Sequence, residues 1–145
     1  IVLSGHSAGG HMAARALCRV LVPALAGRIR GYVGLSGLFD LEPLLRTSIN
    51  RDLHMSAAEA RSLGLYRPAA LYEVPLVFAA GALETDGFRG QSLDFSRHCA
   101  SHGYQVENLV VPRRNHFDLL TDFSSGDYPL FNKTLDLLLP GAGRA

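Results

Sequence analysis

The opening residues, IVLSGHSAGG, hold the feature that most constrains how this chain can fold. An apolar run of β-formers ends at Gly5, and an amphipathic helical pattern begins at Ala8. Between them stands Ser7, with Gly5 and Gly9 two residues to either side. A strand that turns sharply into a helix leaves little room, so small residues flanking the serine avoid steric clashes. The pattern predicts a buried strand and a strained turn that presents the serine hydroxyl.

The remainder of the chain alternates between strand-like and helix-like segments. Further strands are predicted at 32–36, 76–80 and 105–111. Helices are predicted at 8–21, at 88–102 and, in at least two pieces broken around 124–126, at 117–139. Between them, 40–71 reads as loops and short helices, one of which starts at a capping box formed by Ser56 and Glu59. This alternation predicts an α/β domain with a mostly parallel sheet and flanking helices.

The number of strands bears on domain organisation. Four strands are few for such a sheet and would leave one edge open and apolar. We therefore expect residues 1–139 to be the C-terminal part of a single larger α/β domain, and residues 140–145 to be a frayed tail.

Composition excludes several classes of function. The formal net charge is +1 and there is no dense Lys/Arg run, which argues against nucleic acid as a partner. No apolar run is long enough to span a membrane, so no membrane partner is predicted. The two cysteines, Cys18 and Cys99, fall in predicted helices and are expected to be buried thiols. We expect a cytoplasmic protein.

A serine hydroxyl becomes a nucleophile only beside a base that is itself oriented by an acid. In one known arrangement the chain order is serine, acid, histidine, with the acid and the histidine on loops after later strands. Here Glu84 and Asp86 follow the third predicted strand, and His116 follows the fourth. We predict Ser7 as nucleophile, Glu84 as acid and His116 as base, and we assign Asp86 to capping the next helix. At the start of the first helix, the N–H of Ala8 would face a developing oxyanion.

The other histidines carry less specific signals. His6 is predicted to point away from the Ser7 hydroxyl, and His11 to pack or to support the site. His98 and His102 lie four apart on one predicted helix, but no third ligand follows at a zinc-type spacing. They are interpreted as a solvent-facing pair, and no metal site is predicted.

Four stretches together resemble one family. GHSAGGHMAARAL, GLSGLFDLEPL, GALETDGFRGQSLDF and NHFDLL are similar to the kynurenine formamidases (arylformamidases) of the α/β-hydrolase superfamily, over residues 1–139. The resemblance implies hydrolysis of a small molecule, N-formyl-L-kynurenine, to formate and L-kynurenine in tryptophan catabolism. It implies Ser7, Glu84 and His116 as the triad, implies no cofactor and allows a homodimer.

The resemblance also implies an element that this sequence lacks. Family members carry an upstream His-Gly-Gly loop whose N–H groups complete the oxyanion hole, and no such stretch occurs here. Loss of one oxyanion donor costs about 2.7–4 kcal/mol in the barrier. We expect the 145-residue chain alone to be poorly folded and inactive. Two alternatives stay open: a carboxylesterase of the hormone-sensitive-lipase type with the same triad, and an inactive truncated hydrolase that serves as an interaction module.

The substrate pocket is less readable from sequence. The insertion at 41–71 is a candidate for one wall. Tyr66, Phe88 and Phe117 are candidates to pack on an aryl ring, although each would also suit a core. Arg113 and Arg114 precede His116 and are candidates to bind a carboxylate, or else form a solvated basic loop.

Overall fold

Four parallel strands form the centre of the molecule. A computed structural model describes residues 1–19, 23–66 and 70–139, and within these residues the strands make one sheet. They are Val2–His6 (β1), Gly31–Leu35 (β2), Leu76–Gly81 (β3) and Val106–Val111 (β4). Strands that follow one another in the chain are neighbours in the sheet, and each pairing is parallel. The predicted fold class, α/β with a parallel sheet and flanking helices, is confirmed.

Helices and short helical turns connect the strands. The α-helices of the described residues are Ala8–Arg15 (α1), Asn50–Leu53 (α2), Ala57–Leu63 (α3), Asp86–Ser101 (α4) and Pro129–Leu138 (α5). Two 3₁₀ turns occupy Pro23–Leu25 and Glu42–Arg46. The predicted capping box starts α3, since Ser56 Oγ accepts from the Glu59 N–H and the Glu59 carboxylate accepts from the Ser56 N–H.

Each face of the sheet is covered by a hydrophobic layer. Successive side chains of a strand point to opposite faces, so Phe78 packs with Phe95 of α4 on one face, while Val77 packs with Leu130 of α5 on the other. Strands β2 and β3 are buried along their whole length, as central strands of a parallel sheet are. Both cysteines are buried thiols, as predicted, and neither forms a disulfide in the described part of the chain.

The first helix is shorter than its apolar spacing predicts. It ends at Arg15; a turn follows, and Cys18 then forms an isolated antiparallel bridge with Leu71. The Arg19 N–H donates to the Ala70 carbonyl at 3.0 Å, and the Tyr72 N–H donates to the Leu17 carbonyl at 2.9 Å. These long-range bonds satisfy backbone groups that a continued helix would have paired locally, which is why tertiary pairing prevails over helix propensity. Val20 and Leu21, part of the predicted helix, lie outside the described residues.

The segment after β4 also departs from prediction. Residues 117–127 form a series of turns, and α5 begins only at Pro129. The backbone hydrogen bonds within 117–127 join residues three apart, such as the bond from the Thr121 N–H to the Asp118 carbonyl at 3.0 Å. Acidic and amide side chains compete here for backbone donors and favour turns over a regular helix. The predicted helix over this first piece is therefore wrong, whereas the second piece is confirmed.

The predicted tail, 140–145, lies outside the described residues. Among the helices that are described, none has the length and apolar content needed to cross a bilayer.

Candidate active site

The strand-to-helix turn at Ser7 has the strained backbone expected of a nucleophile-bearing elbow. Ser7 has φ 55° and ψ −122°, a left-handed conformation that residues with a side chain rarely adopt. Its N–H donates to the Leu35 carbonyl at 2.9 Å, which ties the turn to the end of β2. The surrounding structure thus holds Ser7 in a conformation that it would not adopt alone.

The glycines around Ser7 differ in what they do. A Cβ on Gly5 would lie 2.2 Å from the Gly9 carbonyl oxygen, so glycine is required there. A Cβ on Gly9 would meet nothing within 4 Å in the described structure, so glycine itself is not required at this position. Gly10 is tighter, with a Cβ 3.0 Å from Gly37 Cα. The helix packs closely against the sheet through Gly10.

Ala8, the predicted oxyanion donor, is the first residue of α1. The first N–H groups of a helix have no acceptor within the helix, and the helix dipole makes this end positive. The N–H of Ala8 is therefore available to a negative oxygen beside Ser7.

Glu84 is the most enclosed charged group of the site. Its side chain is fully buried in the loop between β3 and α4. One carboxylate oxygen, Oε1, accepts from the Gly81 N–H at 2.7 Å and from the Ser36 hydroxyl in a short bond. The other, Oε2, accepts from His116 Nδ1 at 3.0 Å. A buried carboxylate needs such donors, and these three fix its orientation.

The bond to Glu84 fixes the protonation pattern of His116. A carboxylate only accepts, so Nδ1 carries the proton and Nε2 keeps its lone pair in the neutral ring. That tautomer can take a proton from a hydroxyl. The structure thus brings Glu84 and His116 together, and in the described residues no hydrogen bond joins Ser7 Oγ to His116.

The loop that carries His116 is held by its own side chains. Asn115 donates from its backbone N–H and its side-chain amide to the Asp118 carboxylate, at 2.6 and 3.1 Å. Arg114 binds Asp122 in a short ion pair, and its guanidinium lies 5.6 Å from the Tyr128 ring centre. Arg114 is therefore tied into the loop, with its side chain partly exposed.

Aromatic side chains and His6 surround the His116 imidazole. Phe88 stacks on it with ring centres 4.0 Å apart, and Phe117, mostly exposed, meets it edge-on at 5.6 Å. His6 lies 4.5 Å away between ring centres, and its Nε2 is 2.8 Å from the His116 carbonyl oxygen. Burial, and next the neighbouring His116, lower the pKa of His6 below 6.5.

The predictions for Asp86 and His11 have different outcomes. Asp86 does not cap α4: Thr85 is the capping position, and Asp86 is the first helical residue, paired with Arg89. His11 does support the loop after β2, because its Nδ1 donates to the Leu38 carbonyl at 2.7 Å. Burial lowers the pKa of His11 as well.

His98 and His102 lie together on α4 but do not form a metal centre. Their ring centres are 4.4 Å apart, and His98 also stacks near Phe95 at 6.0 Å. Within the described residues no group of three or more His, Cys, Asp or Glu side chains is placed to hold a metal ion.

A mostly apolar cavity of about 430 Å³ is linked to His116 through Phe88, and its described lining residues include none from the His116 loop. It lies between the insertion after β2 and the start of α4, and is lined by residues that include Leu38, Leu44, Ile49, Tyr66 and Phe88. Because Phe88 also stacks on His116, the cavity and the imidazole share a wall. Cavities of this size suit small organic ligands.

Sequence reasoning missed Ser36. It directly follows β2, has φ 48°, is completely buried and donates to Glu84. Gln91 likewise joins two segments, since its Oε1 accepts from the Phe39 and Asp40 N–H groups at 2.8 and 2.9 Å. A signal for Ser36 did exist: the carboxyl ends of parallel strands meet at one edge, so polar residues ending β2 should neighbour those following β3.

Comparison with known proteins places this geometry in context. The sequence is 30% identical to a kynurenine formamidase of Salmo salar over 95% of this chain, and 27% identical to one of Danio rerio over 95%. The chain spans about half the length of these curated relatives, 49% of each. No family model matches the sequence.

Solved structures agree with the fold. A Silicibacter protein provisionally described as a thioesterase superposes with a TM-score of 0.80 and 29% identity, over 89% of this chain and 48% of that chain. A more distant α/β-hydrolase, an esterase from Thermogutta terrifontis, superposes with a TM-score of 0.62 and 22% identity, over 95% of this chain and 53% of that one. The chain therefore has the α/β-hydrolase fold over the part that it shares with these structures. The resemblance to kynurenine formamidases inferred from the motifs is confirmed by the curated homologues.

Proposed function

We propose that this α/β-hydrolase chain carries the catalytic residues of a serine hydrolase that cleaves N-formyl-L-kynurenine to formate and L-kynurenine. The observation that carries the proposal is the hydrogen bond from His116 Nδ1 to buried Glu84, at the sheet edge where the strained Ser7 turn also lies. The curated homologues named kynurenine formamidase support the choice of substrate. On this proposal the reaction belongs to tryptophan catabolism.

The first half-reaction transfers the formyl group to the enzyme. Ser7 Oγ attacks the formyl carbon while His116 Nε2 takes the hydroxyl proton, and Glu84 stabilises the imidazolium that forms. The carbonyl oxygen becomes an oxyanion, to which the Ala8 N–H donates. The carbon–nitrogen bond then breaks, and His116 returns the proton to the departing aryl amine.

The second half-reaction releases formate. A water molecule gives its proton to His116 and attacks the formyl ester on Ser7. The ester bond breaks, Ser7 recovers its proton from His116, and formate leaves. The two half-reactions use Ser7, His116, Glu84, the Ala8 N–H and water.

The cavity beside His116 is the proposed place of the aryl leaving group. Its volume of about 430 Å³ and its apolar lining suit an aromatic ring, and Phe88 links it to the imidazole. Tyr66 and Phe88, two of the three predicted aromatic contacts, line this cavity, whereas Phe117 is not among its lining residues.

The test is to follow formate release from N-formyl-L-kynurenine with the full-length protein and its Ser7→Ala variant. We expect turnover that falls by about 10⁶-fold in Ser7→Ala. Ser4→Ala, on the strand that leads to Ser7, is the matched control. Ser4 Oγ donates to the Val33 carbonyl at 3.0 Å, and this bond lies away from the site. Ser7-dependent cleavage of short esters or thioesters without formamide cleavage would replace the substrate and keep the triad. Turnover that survives Ser7→Ala would reject both.

A further inference from the structure

We propose that His6 is a positioning residue that fixes the backbone of His116 relative to Ser7, and so sets the separation between nucleophile and base. The inference rests on the proposed triad. It concerns the residue between Gly5 and Ser7 in the elbow, a position whose side chain has no part in the reaction steps above.

The contact itself is specific. A backbone carbonyl only accepts hydrogen bonds, so His6 Nε2 carries the proton and donates it to the His116 carbonyl oxygen across 2.8 Å. The two imidazoles also lie against each other, with ring centres 4.5 Å apart and planes inclined by 40°. These partners are 110 residues apart in the chain, so the bond joins the first strand to the last loop.

The chain geometry turns this bond into a constraint on distance. His6 is the last residue of β1, and the next residue is Ser7, whose N–H is bound to the Leu35 carbonyl at 2.9 Å. The end of β1 therefore does two things. Ser7, just after it, presents the hydroxyl, and His6, its last residue, holds the backbone of His116. A shift of the His116 loop away from Ser7 must break the His6 bond.

Other contacts to His116 act on a different part of the residue. Glu84 and Phe88 hold its ring, through the bond at Nδ1 and through stacking at 4.0 Å. They fix which way the imidazole faces relative to β3 and α4. His6 is bound to its carbonyl, and so fixes where the loop stands relative to β1.

The charge state of His6 suits this role. His116 becomes an imidazolium during the proposed reaction, and a second cation 4.5 Å away would oppose that step. Burial and His116 lower the pKa of His6, while the His116 carbonyl and the Glu84 charge act in the opposite direction. The net effect keeps His6 neutral at neutral pH, as a hydrogen-bond donor without charge.

A purely structural role for His6 makes different predictions, and two substitutions separate them. His6→Leu fills space without a donor, whereas His6→Gln keeps an N–H donor on a side chain of similar reach. The matched control is His102→Gln, because His102 also donates from its imidazole to a backbone carbonyl, that of His98 at 2.8 Å, and lies at the end of α4 opposite to Phe88. Melting curves confirm that each variant is folded at the assay temperature.

We expect His6→Leu to lower kcat by about 10²-fold with KM little changed, because a misplacement near 1 Å has that effect on a reacting pair. His6→Gln should recover most of the loss, and His102→Gln should keep the wild-type kcat. The kcat–pH profile of His6→Leu should keep its acid limb, since Glu84 still holds the ring. Equal loss in both His6 variants, or a change in KM alone, would overturn the proposal.

A second measurement does not depend on activity. The carbonyl-carbon NMR shift of His116 should move in His6→Leu and stay in place in His102→Gln. An unmoved shift in His6→Leu would overturn the contact and the proposal with it. Ser7→Ala tests the proposed function separately: if turnover is independent of Ser7, the function fails whatever the His6 variants do.

Discussion

The elbow around Ser7 and the Glu84–His116 pair are held in place by different kinds of force. The elbow depends on backbone sterics, because Gly5 has no room for a Cβ. The acid–base pair depends on hydrogen bonds from side chains scattered along the chain, with Ser36 and His6 among the donors. A local steric requirement leaves a mark in the local sequence, whereas a hydrogen bond between distant residues leaves almost none.

The largest effect on stability is expected in the elbow, where the backbone at Gly5 leaves no room for a side chain. Gly5→Ala would place a Cβ 2.2 Å from the Gly9 carbonyl oxygen, and the strand and the helix fix the backbone that carries these two atoms. We expect the free energy of unfolding to fall by about 3 kcal/mol or more. Chemical denaturation of the full-length protein measures this loss.

Gly9→Ala is the matched variant. Its Cβ would meet nothing within 4 Å, and alanine is favoured over glycine inside a helix by up to about 1 kcal/mol. Stability should stay constant or rise. If Gly9→Ala destabilises as much as Gly5→Ala, the steric account of the elbow is wrong.

The hydrogen-bonded side is tested at Ser36. Ser36→Ala removes one donor from the buried Glu84 carboxylate, and we expect a loss of about 2 kcal/mol in the free energy of unfolding. Ser4→Ala removes a hydroxyl bound to a neutral carbonyl on the neighbouring strand and should cost about half as much. Equal losses would mean that the charge on Glu84 adds nothing to the Ser36 bond.

Low pH should weaken the histidine hydrogen bonds that support the loops before it affects the Ser7 turn, which depends on backbone sterics. The pKa of His11 is lowered from 6.5, chiefly by burial, so between 6.5 and its folded pKa the unfolded chain binds more protons. Stability should therefore decline as the pH falls through that interval. Thermal melts between about pH 8 and about pH 5 should show a shallower decline in His11→Gln. His6 and His98, whose pKa values are also lowered, account for the slope that remains.

The smallest effect is expected at the second acid of the β3–α4 loop. Asp86 is exposed and its pair with Arg89 lies at the surface, so Asp86→Asn should change stability by less than about 0.5 kcal/mol. Glu84→Gln, two residues earlier, leaves a buried amide among donors, and we expect kcat to fall by about 10⁴-fold. An equal effect of the two substitutions on kcat would contradict the choice of Glu84 over Asp86.

Much of the fold could be predicted from the sequence because strands and turns are marked by local composition. All four strands lie where apolar runs ended by glycine or proline indicate them, and α3 begins at its capping box. The end of α1 could not be predicted, since it depends on pairing between Leu17 and Tyr72, which are far apart in the chain. The turns after His116 were missed because side-chain acceptors replace helical bonds there.

For the candidate site, the order of residues was enough to select Glu84 and His116, which the structure joins by a hydrogen bond. The links between motifs were not visible. Ser36 and Phe39 of the second motif bind Glu84 and Gln91 of the third, through the Ser36 hydroxyl and the Phe39 N–H. The sequence showed two motifs in succession, and the fold makes them one hydrogen-bonded unit.

The close approach at Gly81 has a consequence for how such a chain can diverge. A Cβ there would lie 2.2 Å from the Arg114 carbonyl oxygen, and the Leu83 N–H donates to that same carbonyl at 2.8 Å. The acid loop and the histidine loop therefore run against each other as one backbone unit, and an inserted or deleted residue in either would displace both. The insertion after β2, which forms the far wall of the cavity, carries no such tie to the histidine loop in the described residues. We therefore expect changes of length to be tolerated better in that insertion than in the acid and histidine loops, which would have to change together.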